Sequence, residues 1–354
     1  MPFSTAVIVH ATVYALLKIR FDHAPSLIVE ASAEALALTD ALLRKLEMNG
    51  NGSRITGRFE TRYEKLFEEL EWLGRGGFGC VIKARHKFDG MEYAIKKVLI
   101  HPHNLKEEED AIREVHVFSQ LNHPNILRYN TAWIEDKLTG NSRCAEFPNQ
   151  ADDASSDEDD NDESDDGGVG LCLYIQMEVR PRSLKSELKI RRLERDEVYD
   201  ILKQILMGLS YLHSRGVVHG DLTPSNIFID KDNNIKLADF GLSKLMGEDD
   251  LSLMCAGAPP YIAPELLHGP CKPSPKLDIF NLGIIFFELL HFFESDLKSP
   301  RLTAIDKLRK NQEFPEGFPA AERNLIGRLV NAEPSQRPEM HEVTKEVEVL
   351  ARGV

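Results

Sequence analysis

Val218-His219-Gly220-Asp221-Leu222-Thr223-Pro224-Ser225-Asn226 is the stretch on which the reading of this chain turns. It sets an aspartate and an asparagine five positions apart in a loop entered from a helix and left by the apolar strand Ile227 to Ile229. A second strand, Ile235 to Ala238, then delivers Asp239-Phe240-Gly241. Two carboxylates and an amide oxygen are hard donors of the kind Mg²⁺ prefers. In this pattern Asp221 can accept and orient a hydroxyl proton, while Asn226 and Asp239 present oxygens to the metal. Such a site needs little covalent chemistry, because positioning and charge neutralisation carry most of the rate.

Upstream, Gly74-Arg75-Gly76-Gly77-Phe78-Gly79-Cys80-Val81 fits G-x-G-x-x-G-x-V between two strand-like runs. Glycines there let backbone N–H groups approach phosphates without a Cβ in the way. The placement between strands, and not before a helix, argues against a dinucleotide fold. Tyr93-Ala94-Ile95-Lys96 ends an apolar strand on a lysine, which calls for an anionic partner. Glu114, on a helix predicted over Glu107 to Leu121, is the candidate. The plainer alternative makes Lys96 an edge-strand surface lysine and Glu114 part of a solvated helix face.

The glycine loop, Ala94-Ile95-Lys96, Glu114, His219 to Asn226, Asp239-Phe240-Gly241 and Ala263-Pro264-Glu265 together resemble the signature set of the protein kinases. The resemblance covers about residues 67 to 350, and Arg337 stands where an arginine pairs with the glutamate of Ala-Pro-Glu, here Glu265. It implies an α+β bilobal fold with a five-stranded antiparallel N-lobe, one helix C, a hinge near Glu178 to Pro181 and a mainly helical C-lobe. It further implies a serine/threonine protein kinase. ATP would lie under Gly74, Arg75, Gly76, Gly77, Phe78, Gly79 and Val81, against Ala94, Met177, Glu178 and Val179. Lys96, paired with Glu114, would hold the α- and β-phosphates. Asp221 would be the base, with Mg²⁺ on Asn226 and Asp239.

A narrower resemblance lies in Tyr129 to Glu135, an acidic insert, Leu173 to Glu178, Asn226-Ile227-Phe228, Asp278-Ile279-Phe280 and Phe287 to Leu290. These look like the kinases of the α subunit of eukaryotic translation initiation factor two. Phe67 to Ile100, above all Lys87 to Gly90 and Tyr93 to Leu99, is most like the heme-regulated inhibitor branch. That resemblance implies the α subunit as substrate, docked near Thr303 to Lys310, a translation-repressing role under stress, and a homodimer through the N-lobe. Heme binding does not come with it, since the chain has no Cys-Pro dipeptide. Three positions depart from the pattern. Gly220 replaces the arginine that clamps a phosphorylated activation loop. Thr223 replaces a catalytic-loop lysine, a loss of about 10- to 1000-fold in rate. Ala258 replaces a threonine that helps hold the aspartate. Two readings therefore stand beside the first: a catalytically dead or weakly active kinase fold that acts as a binding module, and an active kinase with another protein substrate.

The 354 residues are 42% hydrophobic, enough for a two-part core. The formal charge of −14 owes ten units to the acidic run between Asp152 and Asp166, and removing those ten leaves −4. Neither nucleic acid nor a membrane surface is expected as a direct partner. Five widely spaced cysteines point to a reducing compartment, and with it the cytoplasm. The apolar stretch Ala6 to Ile19 is too short to span a bilayer and lacks a basic n-region. The predicted organisation is a partly helical extension over 1–58 and a kinase domain over 59–354. The small lobe takes 59–178, including a disordered acidic insert at about 137–169, and the large lobe takes 182–354. Strands are expected at Leu70 to Leu73, Cys80 to Ala84, Glu92 to Leu99, Ile126 to Ile134 and Leu171 to Glu178, and helices at Val198 to His213, Ile279 to Phe293 and Asn324 to Val330.

Overall fold

The computed structural model describes residues 61–76, 79–100, 105–137, 170–179, 182–240, 244–245, 259–267, 272–291 and 298–353, all within a unit that runs from Glu60 to Val354. The expectations for 1–58, for the acidic insert beyond residue 137 and for Ala258 lie outside them.

A short helix, α1 (Arg62–Leu66), leads into β1 (Phe67–Gly76), β2 (Gly79–His86) and β3 (Glu92–Ile100); α2 (Leu105–Ser119), β4 (Tyr129–Lys137) and β5 (Gly170–Glu178) complete the small lobe. The five strands form one antiparallel sheet in the order β1-β2-β3-β5-β4. Alternation builds it: Cys80, Ile82 and Ala84 of β2 are buried and their neighbours less so. A turn at Asp89-Gly90 joins β2 to β3, with Gly90 at φ +71° and the Asp89 carboxylate accepting the Met91 N–H at 2.8 Å. The outer face of the sheet carries Tyr63, Phe67, Ile95, Trp133 and Tyr174 as a core of its own. Its rings stack, Trp133 on Tyr174 at 5.2 Å and Tyr63 on Tyr174 at 4.9 Å. α1 can contribute Tyr63 because Thr61 and Glu64 close a capping box around its first turn.

The large lobe runs β6 (Arg182–Ser183), α3 (Leu184–Ile190), α4 (Arg195–Ser214), β7 (Val217–Val218), β8 (Ile227–Ile229), β9 (Ile235–Leu237), β10 (Lys244–Leu245), α5 (Pro275–Leu290), α6 (Lys298–Asn311), α7 (Ala320–Leu329) and α8 (Met340–Ala351). α5 is buried on every side from Leu277 to Leu289, as its nearly unbroken apolar sequence requires. Gly283 lets α7 come close, since a Cβ there would lie 2.7 Å from both Leu329 Cβ and Val330 Cγ1. No helix among the described residues is long and apolar enough to cross a membrane.

The strand expected from Ile126 begins at Tyr129 instead. Ile126 makes a parallel bridge to Leu237, and Leu127 N–H donates to the Leu237 carbonyl at 2.8 Å. Asn125 locks this crossing, with its amide nitrogen 3.1 Å from Gln204 Oε1 and 3.0 Å from the Ile235 carbonyl. An apolar run carries no mark of which edge it pairs with. Here its first residues pin the small lobe to the large one, and only the remainder enters the five-stranded sheet.

Candidate active site

Cross-strand register fixes which side chains face the large lobe. Val81 lies opposite Lys96, Ala94 opposite Met177 and Lys96 opposite Ile175. Directly opposed residues share a face, as do alternate residues of one strand. Val81, Ala94, Lys96 and Met177 therefore share one face, and the three apolar ones pack with the main core, while Ile95 and Tyr174 belong to the outer cluster. Gly74 pairs with Val81 and Gly76 with Gly79, so the glycines line the end of the β1–β2 pairing. Gly79 has φ +146°, and a Cβ there would meet the Lys97 carbonyl oxygen at 2.0 Å. Gly77, Phe78 and the Arg75 side chain lie outside the described residues, as does the hinge beyond Val179. The Glu178 carboxylate accepts the Arg128 N–H at 2.9 Å and lies 3.7 Å from Lys236 Nζ.

Lys96 Nζ sits 2.7 Å from Glu114 Oε1 of α2 and 3.2 Å from Asp239 Oδ1 at the end of β9. Lys96 is 6% exposed and Glu114 7%. Burial works against the Lys96 ammonium, but Asp239 and Glu114 outweigh it and hold its pKa above the ordinary lysine value. Two carboxylates share this one cation, and burial lifts the Glu114 carboxyl above its usual range. The surface-lysine alternative for Lys96 is thus excluded. Phe240 is 1% exposed and packs between Phe118 of α2, at 5.1 Å between ring centroids, and His219, at 5.3 Å. Its burial turns Asp239, at φ +63°, toward Lys96. That left-handed conformation is costly for a residue with a Cβ and persists only where packing dictates it.

The loop from His219 to Asn226 hangs on Asp278, which is wholly buried in the first turn of α5. Its carboxylate accepts the backbone N–H groups of His219 and Gly220, each at 3.0 Å, and lies 2.7 Å from His213 Nε2. Within the loop the Asn226 amide nitrogen donates to the Asp221 carbonyl at 2.8 Å and to Asp221 Oδ2 at 3.0 Å. Ala238 N–H donates to the Asn226 carbonyl at 2.9 Å, so the β8–β9 hairpin sets Asn226 beside the residue preceding Asp239. Asn226 and Asp239 thus stand at one end of one hairpin. With the Asn226 nitrogen engaged by Asp221, its oxygen is the end left for a cation. No group of three His, Cys, Asp or Glu side chains that could hold a metal occurs among the described residues. One amide and one carboxylate suit an ion that takes its remaining ligands from phosphates and water, as Mg²⁺ does.

Gly220 has φ +80°, in the left-handed region. Gly220→Ala is expected to lower stability by ~1–2 kcal/mol, read as a fall in Tm, because any Cβ is strained there. Thr223 is buried, and its carbonyl accepts the Asn226 N–H at 3.0 Å. Further out, Arg337 meets Glu265 through two parallel bonds of 2.7 Å and is 2% exposed.

Asp278, Asn125 and Phe118 have no place among the site residues read from the sequence. Asp278 had a signal: an acid inside an apolar helix must find donors once buried. Asn125 and Phe118 had none, since their partners come from β9, α4 and Phe240.

The family model described as protein kinase domain matches residues 67–347. The chain is 32% identical over 320 residues to the eIF-2-alpha kinase GCN2 of Arabidopsis thaliana, covering 80% of this chain and 25% of that protein. It is 32% identical over 292 residues to the interferon-induced, double-stranded RNA-activated protein kinase of Rattus norvegicus, covering 81% of this chain and 52% of that one. Against the Wee1-like protein kinase of Oryza sativa subsp. japonica it is 30% identical over 304 residues, covering 85% and 51%. It thus spans about a quarter to a half of the length of these relatives.

Proposed function

The chain belongs to the protein kinase domain family, and from that premise we propose that it transfers the γ-phosphate of ATP to a serine or threonine of the α subunit of translation initiation factor two. The observation that carries this is the single buried ammonium of Lys96 bridging Glu114 of the small lobe and Asp239 of the large. In this reading Lys96 orients the α- and β-phosphates beneath the glycine hairpin. Asp221, steadied by Asn226, orients the attacking hydroxyl and accepts its proton. Asn226 and Asp239 hold Mg²⁺, which supplies charge neutralisation at the phosphates.

The choice of substrate rests on relatives whose names state it. Docking is assigned to α6, where Leu302, Thr303, Asp306, Lys307 and Lys310 are exposed and Ile305 and Leu308 are buried. Self-association through the small lobe belongs to the same proposal and is read by sedimentation velocity. The substrate puts the reaction in the cytoplasm. With Gly220 and Thr223 in the loop, activity independent of a loop phosphate and about 10- to 1000-fold below that of a kinase with the lysine is expected. A second reading keeps the activity and changes the substrate, which the 30% identity to a Wee1-like kinase favours.

Incubation of the purified protein with ATP, Mg²⁺ and the α subunit separates these, with Asp221→Asn as control. Label on the subunit that the control lacks supports the proposal. Autophosphorylation alone transfers the argument to another substrate, and ATP binding without any transfer defeats the enzymatic reading.

A further inference from the structure

Lys185 is the second residue of α3, and its N–H donates to the Pro224 carbonyl at 2.9 Å. That bond seats it beside the loop that carries Asp221 and Asn226. Its side chain is half-buried, and among the described residues it has no carboxylate within ion-pair distance. The acid that faces it electrostatically, Glu288, is 3% exposed and already engaged by the Tyr261 hydroxyl and the Arg301 guanidinium. Arg301 also donates to the Tyr261 hydroxyl at 2.7 Å. One saturated carboxylate thus faces two cations, Arg301 and Lys185, with Lys189 one turn further along α3. Burial pushes the Lys185 ammonium below its ordinary value, Arg301 and Lys189 add to the effect, and Glu288 offsets only part of it. The accepting Pro224 and its chain neighbours Thr223 and Ser225 carry neutral side chains. A partly dehydrated cation that no carboxylate among the described residues pairs with, beside the loop of Asp221 and Asn226, favours an anion brought from outside.

We propose that Lys185, backed by Lys189 and Arg301, is a specificity-determining residue that selects a carboxylate side chain on the protein substrate close to the residue that is phosphorylated. The inference rests on the kinase reading above.

The test uses peptides that differ only in Glu, Gln, Lys or phosphoserine at single positions flanking the target serine. At one position the ratio of kcat/KM for Glu over Gln should reach about 5- to 20-fold. Lys185→Ala should bring that ratio close to one, Lys185→Arg should retain it, and Lys185→Glu should turn the preference toward Lys. A folding defect lowers all peptides alike and leaves the ratio untouched. A parent protein without acid preference, or a Lys185→Ala variant that keeps it, overturns the proposal; a preference for phosphoserine over Glu overturns the carboxylate assignment. If no peptide is phosphorylated, the kinase reading fails by itself, and the same ratios taken from peptide binding by fluorescence anisotropy decide the subsite.

Discussion

Asp221→Asn should lower kcat for phosphoryl transfer by about 10²- to 10⁴-fold while leaving ATP affinity and Tm close to those of the parent. The expected split follows from the bonds around the residue. Asp221 holds Asn226 through its backbone carbonyl as well as Oδ2, at 2.8 and 3.0 Å. An asparagine at 221 keeps the carbonyl bond and can accept the second through its amide oxygen, so the loop should stay as it is. What disappears is the carboxylate, hence the proton acceptor. The nucleotide's expected contacts, Lys96 and the glycine hairpin, are formed by the small lobe and remain untouched. Steady-state rates beside nucleotide titration and a thermal melt read all three quantities. A variant that turns over at the parent rate would remove Asp221 from the chemistry.

The largest stability effect is expected from Asp278→Ala, at about 3–5 kcal/mol and a drop in Tm of roughly 10 °C, with transfer activity falling alongside. One wholly buried carboxylate satisfies two loop N–H groups and meets His213. Its loss strands the donors, each at a cost of about 1–3 kcal/mol, and releases the loop that positions Asp221. The same group gives a pH signature. Burial works against the Asp278 carboxylate, yet His213, His219 and the Gly220 N–H outweigh it and hold its pKa below the ordinary 3.8. A depressed folded value means that the unfolded state takes up the proton first as acid is added. The Asp278 contribution is therefore complete above the ordinary value and fades as the pH falls below it. Denaturant melts of parent and Asp278→Ala should converge in that acid range and differ by a constant amount near neutral pH. A gap that instead widened with acid would contradict the depressed value.

The kinase fold class was read from the resemblance of its motifs to the kinase signature set, whereas the individual elements were legible because their signals are local. Glycines that allow close backbone approach, period-2 strands and an apolar helix such as the one expected over Ile279 to Phe293 each declare themselves within about fifteen residues. Asp239-Phe240-Gly241 and Asp221 to Asn226 were visible for the same reason. So was Lys96, as a cation that an apolar strand cannot leave unpaired. Glu114 could be named only as a candidate on the following helix, beside the alternative of a solvated face, because nothing local ties a lysine to a carboxylate eighteen positions on.

What the sequence by itself determined about this protein is therefore its element types and the chemical nature of its candidate site residues. Tertiary structure alone decided that Ile126 leaves the sheet for Leu237, that Asp278 carries the loop, that Phe240 turns Asp239 toward Lys96, and that Glu288 is saturated while Lys185 is not. Each of these depends on which distant donor or ring reaches a group once water has been excluded. Chain order does not encode that, because the partner is selected by packing across elements and not by spacing along one of them.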